Sequence, residues 1–221
     1  MIKLMIFDFD GTLCETLEDL KDSINEALEI NGYHRVYTYD EAKYLVGSGT
    51  RVLVTRALQP FEHTIGDEEI VFKTFSERYA LNQFNHTKPY PHIIEVLNEI
   101  KKMGIKIAVL SNKVEKNTKA ITYKMFGETM FDQVVGQRKG VPLKPDPTSI
   151  NALIDEFQIE KENILYVGDS DVDMITANNA NVKKIAVTYG FRPKETLAKY
   201  NPDYFASSAE EILTIVKNNS K

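Results

Sequence analysis

Asp8 and Asp10 stand two positions apart in IFDFDGTL, residues 6–13, at the end of an apolar run. Side chains alternate faces along a strand, so both carboxylates project the same way unless the chain turns between them. Like charges crowded beside a core raise each other's proton affinity, which weakens a fold unless a cation or a reaction uses them. Three further segments supply complementary groups. SNK, residues 111–113, follows the apolar run IKIAVL; Lys144 sits among Pro142, Pro145 and Pro147 in GVPLKPDP; and GDSDVD, residues 168–173, follows ILYV. Asp169, with Asp173 one helical turn later, is suited to join Asp8 around a hard cation such as Mg²⁺, which takes oxygen ligands. Ser111 and the Lys144 ammonium suit phosphate oxygens, and backbone N–H groups around Gly11 add donors. Such a clamp serves phosphoryl transfer, in which catalysis is mostly positioning and electrostatic stabilisation. In that chemistry Asp8 attacks phosphorus to give an aspartyl phosphate, and Asp10 protonates the leaving oxygen and later activates water.

The fold must bring these groups together. The runs at 3–8, 105–110, 164–167 and 184–188 are short and apolar, and helical stretches separate most of them. That pattern predicts a parallel sheet buried on both faces. Residues 131–136 and 203–206 are weaker strands, and a last helix follows, capped by Ser207 or Ser208 with Glu210 or Glu211 three residues on. Between 17 and 83 only helices are expected, near 17–30, 40–46, 50–59 and 67–82. The expected fold class is α/β: a Rossmann-like, doubly wound parallel sheet core, residues 1–15 and 86–221, with an inserted small all-helical cap, residues 16–85. The joins fall near 14–17 and in FNHTKPYP, residues 84–91, which is rich in turn formers. Two short hinges suit a lid that opens and closes over a site. In open parallel sheets ligands bind beyond the carboxyl ends of the strands, where the acids and SNK fall.

Composition narrows the classes. With 221 residues and 43% hydrophobic side chains the chain can bury a full core. Its net charge of −5 has no compensating basic tract, so nucleic acid and anionic membrane surfaces are not expected partners. The N-terminus reaches two acids before an apolar signal core develops, no run has transmembrane length, and the single Cys14 has no partner for an internal disulfide. A cytoplasmic protein is expected. Monomer and homodimer stay open.

DFDGTL, SNK, the lysine of KPDP and GDSDVD together resemble the four ordered motifs of the haloacid dehalogenase superfamily, across essentially the whole chain. That resemblance implies a mostly Mg²⁺-dependent aspartyl-phosphate phosphatase acting on a small phosphorylated metabolite. It makes Asp8 the nucleophile and Asp10 the acid/base. Gly11, Thr12, Ser111, Asn112 and Lys144 would form the phosphate side of the substrate site, and Gly47 and Ser48 the cap side. The metal set would be Asp8, Asp10 through its backbone carbonyl, Asp169, and Asp173 in a supporting place. TLEDL, GSGTRVLVTRAL, KPYP and VTYGF are similar to the phosphoglycolate phosphatase subgroup, with Gly47, Gly49, Leu53, Arg56, Ala57 and Leu58 in its cap positions. Glu15 departs from the subgroup's usual Asp, Thr16 from its Ser and Asn181 from its Gly; Asn tolerates positive φ. A phosphomutase like beta-phosphoglucomutase is the nearest alternative, although such mutases favour Val at Thr12 and His at Leu20. An inorganic pyrophosphatase or nucleotidase of the same fold also stays open. A phosphonate hydrolase lacks an acid at Asp10, and a phospho-accepting signalling domain would need neither that acid nor a cap.

Plainer readings compete at single positions. An EF-hand loop from Asp8 fails because Leu13 and Asp19 occupy its Gly and Glu positions, and no Walker loop occurs. Cys14 reads as a packing residue, Asp171 as an exposed helix-start acid, and Phe72, Phe75 and Tyr79 as cap core. Arg51 and Arg56 pair with cap acids or reach substrate. His34, His63, His86 and His92 lack metal-ligand spacing.

Overall fold

Leu4 and Ile6 point to one face of the sheet and Met5 and Phe7 to the other, and all four are fully buried. A strand covered on both faces needs this uninterrupted apolar run. The computed structural model describes residues 1–219. Its strands are β1 (Leu4–Phe7), β2 (Cys14–Glu15), β3 (Lys88–Pro89), β4 (Lys106–Val114), β5 (Gln133–Gln137), β6 (Ile164–Gly168), β7 (Lys183–Val187) and β8 (Tyr204–Ala206). Six of them form one parallel sheet in the order β5-β4-β1-β6-β7-β8. β1 lies centrally, with Phe7 level with Val109 and Val167; β1 and β6 end beside Asp8 while β4 runs on to Val114.

Helices α1 (Leu17–Ile30), α2 (Tyr39–Ala42), α3 (Thr50–Leu58) and α4 (Ile65–Asn82) follow the first strands. The remaining helices, α5 (Ile93–Lys102), α6 (Glu115–Phe126), α7 (Thr148–Phe157), α8 (Asp171–Ala180), α9 (Lys194–Ala198) and α10 (Ala209–Asn219), flank the sheet. Ile150, Leu153 and Ile154 of α7 cover the Leu4/Ile6 face; Ile93, Leu97 and Ile212 of α5 and α10 join the Met5/Phe7 face. The outcome is the doubly wound α/β arrangement expected above.

α1 and α4 pack together, joined by Asn82 Nδ2 to Ser23 Oγ at 3.3 Å and by an Arg78–Glu26 ion pair. The two chain segments that lead into and out of these helices pair as the antiparallel strands β2 and β3. Buried Asp19 ties them further, its carboxylate accepting from His86 N, Thr87 N and Thr87 Oγ1 at 2.7–2.9 Å. Glu15 accepts from Leu17 N at the start of α1 and from the hydroxyl of Tyr39, so the departure at this position ties α1 to α2.

Several boundaries differ from expectation for local reasons. β4 runs through SNK to Val114, with a register shift after Leu110, because β5 extends the pairing past the end of β1. The helix expected over 40–46 ends at Ala42, where the backbone tightens to Tyr44 N–Glu41 O and Leu45 N–Ala42 O bonds, and Arg56 Nη1 donates to the carbonyls of Tyr44, Leu45 and Val46. α4 begins two residues before the expected Asp67 because Thr64 and Asp67 close a reciprocal capping box. Asn181 adopts φ 55°, the conformation its amide side chain tolerates.

Candidate active site

Asp8 N donates to Val167 O at 2.9 Å, extending the parallel ladder one residue beyond β1. The chain then turns, Leu13 N and Cys14 N both reaching back to Phe9 O. The turn, not strand alternation, sets where the two acids point. Gly11 holds φ 82°, and a Cβ there would lie 2.3 Å from Asp169 Oδ2; one on Gly190 would lie 2.3 Å from Asp169 Cβ. Only glycine lets these loops approach so closely. Thr12 Oγ1 and Phe191 N donate to Asp169 at 3.3 and 2.7 Å.

Asp8 faces a buried cation. Lys144 Nζ lies 2.8 Å from Asp8 Oδ1 and 2.8 Å from Asp173 Oδ1, and donates also toward Leu110 O and Tyr166 Oη at 3.0 Å. Asp173 accepts four donors: Lys144 Nζ and Tyr166 Oη on Oδ1, Ser170 N and Ser170 Oγ on Oδ2. Both its oxygens are therefore engaged by protein. Burial, with Asp173 next and against the pull of Lys144, raises the Asp8 carboxyl well above its usual range. Burial, then Asp173, pushes Asp169 up to about 7. Burial lowers the Lys144 ammonium, but Asp173 and Asp8 outweigh it and hold it well above the usual value.

Asp8, Asp169 and Asp173 each present an oxygen within 4.8 Å of the others, all three residues buried. Three carboxylates against one ammonium leave excess negative charge, and an all-oxygen set suits a hard divalent cation. The residues fit such an ion, with Asp8 and Asp169 keeping unused lone pairs and Asp173 holding Lys144 and the start of α8 from behind. The Asp10 side chain lies outside this cluster.

Asp10 belongs to a second group. Its Oδ1 accepts from Thr16 Oγ1 at 2.6 Å and lies 3.0 Å from Lys113 Nζ. Lys113 Nζ also donates to Tyr79 Oη of α4 at 2.6 Å. Lys113 and Tyr79 were not singled out for chemistry in the sequence, although the strand period places Lys113 on the same side as Ser111. Tyr166, Ser170, Asp19 and Arg192 were missed as well.

Between sheet and helices lies a cavity of about 50 Å³. Asp8, Asp10, Ser111, Lys113 and Asp169 line its floor, and Gly47, Gly49, Leu53, Phe75 and Tyr79 its roof. Ser48 turns away from it, its Oγ accepting from Arg56 Nη2 at 3.0 Å. Asn112 is engaged by backbone: Nδ2 donates to Gly47 O and Lys144 O at 3.2 and 2.9 Å, and Oδ1 accepts from Lys144 N at 2.8 Å. It fixes the lysine loop and the helical segment rather than offering free donors. Arg51 pairs with Glu69 on the surface and covers Phe72. Arg192 reaches from the core to Lys43 O and Val46 O, and its Nε pairs with half-buried Asp171 at 3.3 Å. Cys14 is fully buried and its thiol raised by burial, an inert packing residue. Each histidine sits beside a carboxylate, and none joins the acid cluster among the described residues.

The chain belongs to the haloacid dehalogenase-like hydrolase family, whose model matches residues 5–187. It is 32% identical over 220 residues to a phosphoglycolate phosphatase of Vibrio parahaemolyticus, covering 97% of this chain and 96% of that protein. A phosphoglycolate phosphatase of Agrobacterium fabrum is 34% identical over 190 residues, 85% of this chain and 81% of that one. The crystal structure of a predicted phosphoglycolate phosphatase from Haemophilus somnus superposes with a TM-score of 0.91 at 29% identity, covering 97% and 98% of the two chains. Among the described residues no helix is long and apolar enough to cross a membrane.

Proposed function

We propose that this protein is a Mg²⁺-dependent phosphatase of small phosphomonoesters, with 2-phosphoglycolate its main substrate. The observation that carries the reading is the division of the two acids between two lysines. Asp8 meets Lys144 through Oδ1, and Asp10 meets Lys113 and Thr16 through Oδ1. Each carboxyl is thus oriented by one oxygen while Oδ2 has no hydrogen-bond partner among the described residues.

Asp8 Oδ2 attacks phosphorus, and the bond from phosphorus to the ester oxygen breaks. The electron pair leaves with that oxygen, which takes a proton from Asp10. Asp10, now a carboxylate, then takes a proton from water; the water oxygen attacks phosphorus, and the Asp8–phosphorus bond breaks to release inorganic phosphate. Lys144 orients Asp8 and favours its charged form against burial, Ser111 and the turn at Gly11 donate to phosphoryl oxygens, and the helical roof excludes water. A Mg²⁺ ion beside Asp8 and Asp169 would supply charge neutralisation for the equatorial oxygens. The relatives' activity and the small cavity favour 2-phosphoglycolate.

A panel of phosphorylated metabolites assayed with and without Mg²⁺ tests the reading. Highest kcat/KM for 2-phosphoglycolate, lost on chelation, supports it. No phosphate release from any ester with Mg²⁺ overturns it.

A further inference from the structure

Lys113 carries a buried ammonium on the leaving-group side of the cavity. Its residue is 6% exposed, and Nζ has two partners among the described residues, Asp10 Oδ1 and Tyr79 Oη. An ammonium has three N–H donors, so one is left for a ligand. Lys113 lines the cavity beside Asp10, so a ligand seated there can take the third N–H.

Among the described residues, the nearby cations Lys144 and Arg192 are both engaged elsewhere. Lys144 is enclosed by Asp8, Asp173, Leu110 O and Tyr166 on the phosphoryl side. Arg192 is engaged by Lys43 O, Val46 O and Asp171. Leu20, Val46, Leu53 and Phe75 make the surrounding wall apolar.

We propose that Lys113 determines substrate specificity: its free N–H binds a carboxylate borne on the carbon attached to the ester oxygen, selecting phosphoryloxy-carboxylates over neutral esters. The anion must sit that close because Nζ is 3.0 Å from the carboxyl that protonates the ester oxygen. Tyr79 comes from α4, so the lysine is held for this contact only when the helices lie over the sheet. The proposal rests on the phosphatase reading above.

The test compares 2-phosphoglycolate with 2-hydroxyethyl phosphate, in which a hydroxymethyl group replaces the carboxylate. Wild-type enzyme with Mg²⁺ is expected to favour the first by about a hundredfold in kcat/KM, the scale of a buried charged hydrogen bond. Lys113→Met is expected to slow both esters, through the lost contact to Asp10, and to cut the preference below about tenfold. A preference that survives intact in Lys113→Met overturns the proposal, as does equal use of both esters by the wild type. Should Lys113→Met not fold, product inhibition of the wild type decides. Glycolate binding at least about tenfold tighter than ethylene glycol supports the proposal, and equal binding overturns it. Release of phosphate from neither ester would instead remove the phosphatase reading on which the proposal stands.

Discussion

Lys144 Nζ touches Asp8 through Oδ1 alone, at 2.8 Å, and leaves the second oxygen of that carboxylate without a hydrogen-bond partner among the described residues. A buried carboxyl with one oxygen clamped and one bare has a fixed orientation. The lysine is fixed in turn by Asp173, which the capping box with Ser170 holds at the start of α8. The nucleophile's direction therefore depends on a helix N-terminus more than 160 residues away in the chain.

Replacing Asp8 by Asn removes the attacking charge while keeping shape. Asp8→Asn is expected to stay folded and to lose at least about a thousandfold in kcat, since the amide has no charge with which to attack phosphorus. Acid-quenched wild type should carry phosphate on protein and the variant none. Turnover within about tenfold of wild type would remove Asp8 from the reaction.

Asp10→Asn separates the two half-reactions. The amide still accepts from Lys113 and Thr16 but has no proton to give, so phosphate transfer to Asp8 should slow and its hydrolysis slow further. A loss of about 10²- to 10⁴-fold in kcat is expected, the range for a general acid/base. Quenched samples with labelled substrate should show phosphoprotein persisting after the wild type has cleared it. A variant that turns over normally, with no lasting phosphoprotein, would contradict the role.

Much of this was legible in the sequence because it depends on local pattern. The apolar runs of β1, β6 and β7 mark a sheet covered on both faces, and glycine beside aspartate marks the turn. Lys113 and Asp19 were not legible. Their importance comes from Tyr79 in one case and from the backbone of His86 and Thr87 in the other, partners that only the folded chain brings near. The partner of Ser48 was not legible either: Arg56 of α3 donates to its hydroxyl.

Asp19 offers a test of the hinge. Asp19→Ala leaves His86 N and Thr87 N without their acceptor in a buried site. Losing charged acceptors of this kind costs about 2–4 kcal/mol, so thermal unfolding should move down by several degrees. KM should rise more than kcat falls, because the roof of the cavity loosens while Asp8 and Lys144 are untouched. Unchanged melting would show that β2 and β3 alone hold the hinge.

Lys144→Met exposes the cost of the acid cluster. It leaves Asp8 and Asp173 buried without their cation, a loss of about 3–5 kcal/mol for a broken buried pair. Mg²⁺ should recover part of that stability, and more than it adds to the wild type, since it replaces the missing charge. A variant as stable as wild type without metal would show that the carboxyls protonate at little cost.

Asp169 gives the pH dependence its sign. Its folded carboxyl is pushed up to about 7, by burial first and Asp173 second, from an unfolded value near 4. The native state thus keeps a proton that the unfolded chain gives up, so this stabilisation is complete below about pH 4 and disappears as the pH rises through about 7. Asp8 is shifted in the same direction. Metal-free protein should melt at a lower temperature at about pH 8 than at about pH 5. Asp169→Asn should flatten that slope, and Mg²⁺, which needs the ionised carboxylate, should raise the melting temperature more at about pH 8 than at about pH 5. Equal slopes in wild type and Asp169→Asn would place the titrating group elsewhere. A Mg²⁺ effect larger at the acid end would show that the ion does not compete with protons for these oxygens.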